Sequence, residues 1–328
     1  MIFKCKNCGA NALWSPEKDA VCCPHCDSID SEEAVTMSSD MFQCGACGAP
    51  MEPKQYDSAN KCEHCGAYTI FEERISGQYE PHLILPFKIG KEQAKEILRK
   101  EFGKKLFVPS SFLKAASLDK MEGDYIPFFL YDFDCKYRFS AKGKKIRRWR
   151  SGNTEYTETS IFQIYRDMDV DFSRIPADAS LSMPDGEMDL LEPYDYSALL
   201  GFQPKYMSGF LGEKYSVDSQ TLEPRALHKA RGDAGGLMRQ SIVGYDSVIP
   251  ETDDCRLMTK AKNYALLPVW NYVFHFNGKN YFFRLNGQTG KLVGKAPISV
   301  AKMMGYAATL FACIVAIGGL INGIMGVI

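Results

Sequence analysis

Catalytic signatures are missing from this 328-residue chain. There is no Gly-x-Ser-x-Gly elbow, no His-Glu-x-x-His helix and no Rossmann glycine set. Histidine is scarce, at five residues, and His82, His228 and His275 stand isolated and read as structural. Gly287-Gln-Thr-Gly-Lys291 lacks the length and the Ser/Thr of a Walker loop and reads as a hairpin turn. Asp167, Asp169 and Asp171 share a face if extended, but Phe172 and Asp178 stand where an EF-hand loop needs Gly and Glu. A signal peptide is also missing, since Met1-Ile2-Phe3-Lys4 runs straight into a cysteine pair. These absences leave no case for catalysis and argue against an oxidising compartment.

Cysteine is what the chain has in quantity, with twelve residues. Eight form Cys-x-x-Cys knuckles: Cys5/Cys8 and Cys23/Cys26, then Cys44/Cys47 and Cys62/Cys65. Within each set 14 residues separate the knuckles, and adding 39 to the first set gives the second. That is an internal duplication. Reduced thiolates at this spacing suit one tetrahedral Zn²⁺ per set, which predicts two zinc ribbons with two structural zinc ions. Redox chemistry is the alternative for such pairs, but no βαβ pattern surrounds them. Cys22 abuts Cys23, yet its counterpart 39 residues on is Lys61, so the repeat selects Cys23 as the ligand. His25 and His64 fall inside knuckles that already supply four thiolates and are read as lying outside the ligand set. Cys135, Cys255 and Cys313 have no knuckle partners and read as buried thiols.

The net charge of −1 hides an uneven distribution. Residues 1–75 carry six bases and twelve acids, a formal −6, and two four-thiolate zinc sites would each add −2. Nucleic-acid affinity rests on neutralising phosphates with Lys and Arg, so these ribbons repel a phosphate backbone and suit protein contacts. The opposite sign gathers at Lys136–Arg150, with eight bases and no acid. Lys142, Lys144, Lys145, Arg147, Arg148 and Arg150, around Trp149, are the candidate site for an anionic partner: lipid, nucleic acid or an acidic protein surface, the acidic ribbons included.

From Met303 to Ile328 there are 26 residues without a charge. A helix of that length spans about 39 Å, more than the roughly 30 Å hydrocarbon core of a bilayer. Lys291, Lys295 and Lys302 precede it, which by the positive-inside rule predicts a single-pass tail anchor with a cytoplasmic body. Gly319-x-x-x-Gly323 has the spacing for close helix packing, a route to homo-oligomers.

Between these ends the pattern is α+β. Residues 71–77 read as an exit strand and linker, and His82–Phe87 as a buried strand. Ala94, Ile97, Leu98 and Phe102 mark one face of a helix over residues 91–102. Residues 125–139, 142–150 and 154–171 read as strands, 176–195 as a long ordered loop, and 221–240 as a helix broken near Gly232, Gly235 and Gly236. Residues 264–294 read as a strand meander with turns at Asn277-Gly278 and Asn286-Gly287. Tyr125-Ile-Pro127-Phe-Phe-Leu-Tyr131 echoes Leu266-Leu-Pro268-Val-Trp-Asn-Tyr272 and hints at two similar units.

In order along the chain, Leu85-Pro-Phe87, Gly123-Asp-Tyr-Ile-Pro-Phe-Phe-Leu130, Arg174-Ile-Pro-Ala-Asp-Ala-Ser180, Leu191-Glu-Pro-Tyr-Asp-Tyr196 and Tyr264-Ala-Leu-Leu-Pro-Val-Trp270 follow the ribbons. With them the chain resembles bacterial TFIIB-type zinc-ribbon-containing proteins over nearly its whole length. The resemblance implies membrane attachment and a link to envelope-stress assemblies, and it carries over no catalytic residue. The expected architecture is α+β with a mainly antiparallel β body, two tandem N-terminal zinc ribbons and one C-terminal transmembrane helix. The expected units are 1–36, 37–76, 77–300 and 301–328. The function expected is a membrane-anchored adaptor for protein partners, with a nucleic-acid-binding regulator using residues 136–150 as the alternative.

Overall fold

The computed structural model describes residues 1–36 and 42–325, with side chains through residue 318. The Gly319–Gly323 pair lies outside the described side chains. Strands β1 (Ile2–Cys5), β2 (Leu13–Ser15), β3 (Ala20–Cys22), β4 (Glu32–Val35), β5 (Asp57–Lys61) and β6 (Tyr68–Ile70) build the ribbons. Then come β7 (Leu83–Ile84), helices α1 (Lys91–Phe102) and α2 (Ala115–Leu118), and the long hairpin β8 (Glu122–Ser151) and β9 (Thr154–Asp178). Helix α3 (Asp185–Leu191), β10 (Leu200–Gly201), β11 (Leu211–Glu213) and helix α4 (Ser219–Gln240) follow. Strands β12 (Ser247–Phe276), β13 (Lys279–Asn286) and β14 (Leu292–Gly294) lead into helix α5 (Val300–Met325).

One large mixed sheet organises the protein, in the order β10-β7-β12-β8-β11-β5-β6, with β9 on β8 and β13 and β14 beside β12. Most of its pairs are antiparallel; β11 on β8 and β7 on β12 are short parallel contacts. The central run Ile126–Tyr131 is buried on both faces, which explains its nearly unbroken apolar sequence. Tyr125, Phe129 and Tyr131 face α1 and α4, while Ile126, Phe128 and Leu130 face Met188 and Leu191 of α3.

The echo in the sequence has a counterpart in three dimensions. Strand β7 pairs with β12 at Leu83↔Ala265 and Ile84↔Leu266, and β11 pairs with β8 at Leu211↔Asp124 and Gly212↔Tyr125. Each contact maps on the other by shifts of 128 and 141 residues. The N–H groups of Lys88 and Ile89 reach Gly287 O, and those of Ser216 and Val217 reach Ala179 O, at the same shift of 128. Helix N-caps at Gly90 and Asp218 and buried helix positions Ala94/Leu222, Leu98/Ala226 and Phe102/Ala230 continue the correspondence. The body is two β-α-β-β units related by a pseudo-two-fold axis between β8 and β12.

The units differ in one respect. The first carries its hairpin about 15 residue pairs further, to a turn at Gly152, and the first half of β12 follows it out along β8 from Asn263 to Ser247. The result is a three-stranded arm, β9-β8-β12. Helix α4 covers its base, burying Ala234 and Met238 against Cys135 and Tyr137. This packing holds α4 continuous through Gly232, Gly235 and Gly236, where the sequence predicts a break. Each mid-helix Gly costs about 1 kcal/mol, less than the burial returns.

Three other expectations change. The stretch 176–195 is not a single loop: β9 runs to Asp178, and α3 forms where Met188 and Leu191 can both be buried. Residues 71–77 give a 3₁₀ turn at Glu72–Arg74 rather than an exit strand. Strand β12 begins at Ser247, some 17 residues before the expected meander, because its hydrophilic first half is held by the ladder rather than by a core.

The ribbons are built into the body. Strand β5 pairs with β11 at Ala59↔Gly212, so the interval 37–76 supplies strands to the main sheet. Trp14 N donates to Ser208 O at 2.9 Å, Ser208 Oγ donates to Ala12 O at 2.5 Å, and the Trp14 ring lies edge-on to Tyr206. Helix α5 is exposed over its described length, and Val300–Gly318 is long and apolar enough to cross a membrane.

Candidate metal centres and the basic arm

All four knuckles share one backbone device. In each, the first cysteine's carbonyl accepts the N–H four residues on: Gly9, Asp27, Gly48 and Gly66, at 2.8–2.9 Å. The first cysteine's own N–H reaches the carbonyl five residues on: Ala10, Ser28, Ala49 and Ala67. The closing residue takes a positive φ (72, 58, 73 and 74° in turn), which favours Gly and is tolerated by Asp27. These closing positions obey the same 39-residue shift, a signal that the cysteines alone do not give. The strands around the knuckles repeat only in part: β3 has a counterpart in β5, but where β4 would recur the second ribbon has the 3₁₀ turn Glu72–Arg74.

The folding brings Cys5, Cys8, Cys23 and Cys26 together, and separately Cys44, Cys47, Cys62 and Cys65. Within each group the Sγ atoms lie within 4.8 Å of one another. Paired distances are 3.6 Å (Cys5–Cys26), 3.5 Å (Cys8–Cys23), 3.5 Å (Cys44–Cys65) and 3.9 Å (Cys47–Cys62). Four sulfurs about 2.3 Å from a tetrahedral Zn²⁺ stand roughly 3.8 Å apart, so the donor sets fit such an ion. Cys22 is buried and outside the tetrad, donating to Ala20 O, and His25 and His64 are exposed outside it.

The electrostatics favour a cation. Hydrogen bonds from the Ser28 hydroxyl and N–H hold Cys26 down to about 6. Burial opposes ionisation of Cys44, but the N–H groups of Ala46 and Cys47 outweigh it, and this thiol also falls to about 6. Their neighbours move the other way. The Ala10 N–H favours the Cys8 thiolate, but burial and hydrogen bonds shared with Cys23, Cys26 and Cys5 win and push it up to about 12. Four thiolates crowd one another, and a divalent ion removes that repulsion.

A buried carboxylate lies where the second ribbon joins the body. Asp124 sits at the β8–β11 contact, with Oδ1 unpartnered and Oδ2 3.5 Å from Asn271 Nδ2. Burial, then repulsion from Glu213, Asp57 and Glu122, raises it well above the usual carboxylate range.

Six of the sequence-predicted basic residues lie towards the arm's tip. Lys142, Lys144, Arg148 and Arg150 alternate onto one face, and Lys145 and Arg147 onto the other with Trp149. Trp149 stacks on Tyr156, ring centroids 5.5 Å apart at 11°, with the Arg147 guanidinium 5.5 Å from the Trp149 ring centroid. Lys145 lies over Phe162 and Tyr245, and Lys142 pairs with Glu251 at 3.0 Å. On the face that carries Lys142, Lys144, Arg148 and Arg150, nearer the arm's base, Asp167, Asp169 and Asp171 stand opposite Arg138, Lys136 and Asp134, and Asp171 pairs with Lys260.

Position separates the partners considered for those bases. From Asp124, beside the second ribbon, to Arg150 the strand covers 26 residue steps, about 85 Å at 3.3 Å each. Strand β14 ends at Gly294, paired with Phe283, which faces Tyr272, one residue past the start of β8. Helix α5 therefore leaves from the end of the ladder opposite the tip. The ribbons of the same molecule are out of reach of the tip.

Over 317 residues the chain is 33% identical to YdjG of Bacillus subtilis (strain 168), named as an uncharacterized protein. The alignment spans 93% of this chain and 92% of YdjG. The chain belongs to the YdjG family. No family model matches it, and no solved structure does. The alignment leaves out only 7% of this chain, so the likeness extends through the body and does not rest on the cysteine knuckles alone.

Proposed function

We propose that this protein is a single-pass, membrane-anchored adaptor that holds two docking surfaces of opposite charge on its cytoplasmic side. The observation that carries this reading is the separation of three features on one ladder. The apolar helix leaves one end, the basic arm tip stands at the other, and the acidic zinc ribbons flank the start of β8. The Lys residues before α5 favour a cytoplasmic body. The likeness to TFIIB-type zinc-ribbon proteins supports membrane attachment; the ribbons' formal −6 speaks against the transcriptional role that such a label suggests.

Deleting the ribbons is a poor test, because β5 belongs to the main sheet. Charge reversal on exposed side chains avoids that. One variant combines Arg147→Glu, Arg148→Glu and Arg150→Glu; another combines Glu33→Lys, Glu52→Lys and Glu63→Lys. Crosslinking in intact membranes, read by mass spectrometry, should show each variant losing a different set of protein crosslinks, with stability changed by less than about 0.5 kcal/mol. Identical crosslink sets in both variants and the parent would sink the adaptor reading.

The second reading is a nucleic-acid contact at the arm tip, favoured by the stacked Trp149–Tyr156 pair among cations. Photocrosslinked RNA or DNA that disappears in the arginine variant and weakens steeply with salt would support it over protein docking.

A further inference from the structure

Helix α5 leaves the body without a loose joint. Ser299 N donates to Phe107 O and Lys302 Nζ to Val108 O, both at 2.7 Å, and Tyr306 packs edge-on to Phe107. The loop after α1 is thereby clamped beside the first turns of α5. Between this loop and the segment after β14 runs a groove of about 560 Å³. Phe107, Val108 and Pro297 line it together with Leu106 and Ile298, which are 65% and 63% exposed. Lys104, Lys105 and Lys295 are exposed along it. None of its lining residues is acidic, and nearby Glu101 is paired with Lys105 at 2.9 Å.

The depth of this groove follows from the sequence. The charge-free run begins at Met303 and helix α5 at Val300, so Ile298, two residues before the helix, lies within about 12 Å of that boundary. That is headgroup depth for a bilayer crossed by α5. Exposed Leu and Ile flanked by Lys, whose apolar stems allow the ammonium to reach outward, are the composition of an interfacial contact.

We infer that the groove at the base of α5 seats an anionic phospholipid, with its phosphate on Lys104, Lys105 and Lys295 and with Leu106 and Ile298 at the acyl boundary. The inference rests on the reading of α5 as a membrane span. The seat holds the body against the leaflet that α5 enters and fixes the direction of the ladder. The arm tip then points to one side of the body instead of sweeping over the bilayer.

The test uses the full-length protein in phosphatidylcholine vesicles with or without phosphatidylglycerol. Photoactivatable benzoylphenylalanine replaces Leu106, Ile298, Phe311 or Trp149 in turn, and lipid adducts are counted by mass spectrometry. Position 311 should label lipid in both membranes and position 149 in neither. Positions 106 and 298 should label phosphatidylglycerol several-fold above its share. Lys104→Glu, Lys105→Glu and Lys295→Glu together should abolish that enrichment, returning phosphatidylglycerol to its share of the membrane or below, as expected when each base contributes favourably. Labelling at 311 without labelling at 106 and 298 overturns the seat and leaves the span standing. No labelling at 311 overturns the span and the seat with it. Enrichment that survives the three reversals overturns the role of the lysines.

Discussion

The ribbons and the arm are two small structures with little core, held in different ways. Among the described residues, the second ribbon's own buried cluster is Cys44, Cys62 and Ala67, with Ala49 and Met51 against it. Its order rests on four thiolates converging on one point and on two hydrogen bonds per knuckle. The arm has no such point. It is a long antiparallel ladder, interrupted by register shifts at Glu251 and Lys260 of β12, pinned at its base by α4 and left exposed at its tip. A thin structure can therefore be fixed by a local crosslink or by continuity with a larger sheet, and the two should fail independently.

Removing a ligand should have the largest effect. Cys62→Ser should leave one zinc per chain where the parent carries two, measured by native mass spectrometry. Structural zinc contributes about 10–16 kcal/mol to small ribbons, so the second ribbon should unfold and lose hydrogen-exchange protection from β5 to β6. Because β5 pairs with β11, protection should also fall at Leu211–Glu213, while the arm from residue 133 to 170 keeps its own. A variant that retains two zinc ions would contradict the ligand assignment.

Met238→Ala addresses the arm. It opens a cavity against Cys135 and Tyr137 and should cost about 2–4 kcal/mol. Exchange should accelerate across the middle of β8 and β9, with zinc content unchanged. Loss of metal in this variant would mean that arm and ribbons are not independent.

The smallest effect concerns the junction. Burial raises Asp124 above its unfolded value, so the native state binds a proton that the unfolded state has lost. Stability contributed at this position is then full below about pH 4, the unfolded carboxylate range, and falls as pH rises through the folded value. Asp124→Asn should remove that fall. It should gain roughly 1–2 kcal/mol at pH 8 and nothing near pH 3, measured by urea unfolding at both. An equal gain at both pH values would show that the effect is not titration.

Much of this was legible in residue order because it depends on local spacing. The two tetrads follow from knuckle geometry, and the apolar helix from a run without charge. The helix at 91–102 shows because Ala94, Leu98 and Phe102 recur with the right period. Less visible were elements whose partners are distant. The first half of β12 is hydrophilic and becomes a strand only because β8 offers a ladder from Lys136 to Lys144. Helix α4 survives three glycines because of side chains on a hairpin about 100 residues earlier.

By itself the sequence determined which residues could bind metal, which segment could enter a membrane and where charge of each sign is concentrated. Those are properties of neighbours along the chain. Only the tertiary structure decided that the second ribbon is part of the main sheet, that the body is two related units, and that the basic tip lies about 85 Å along the strand from the second ribbon's junction with the body. Strand pairing joins residues more than a hundred positions apart, and no local pattern encodes the distance it sets.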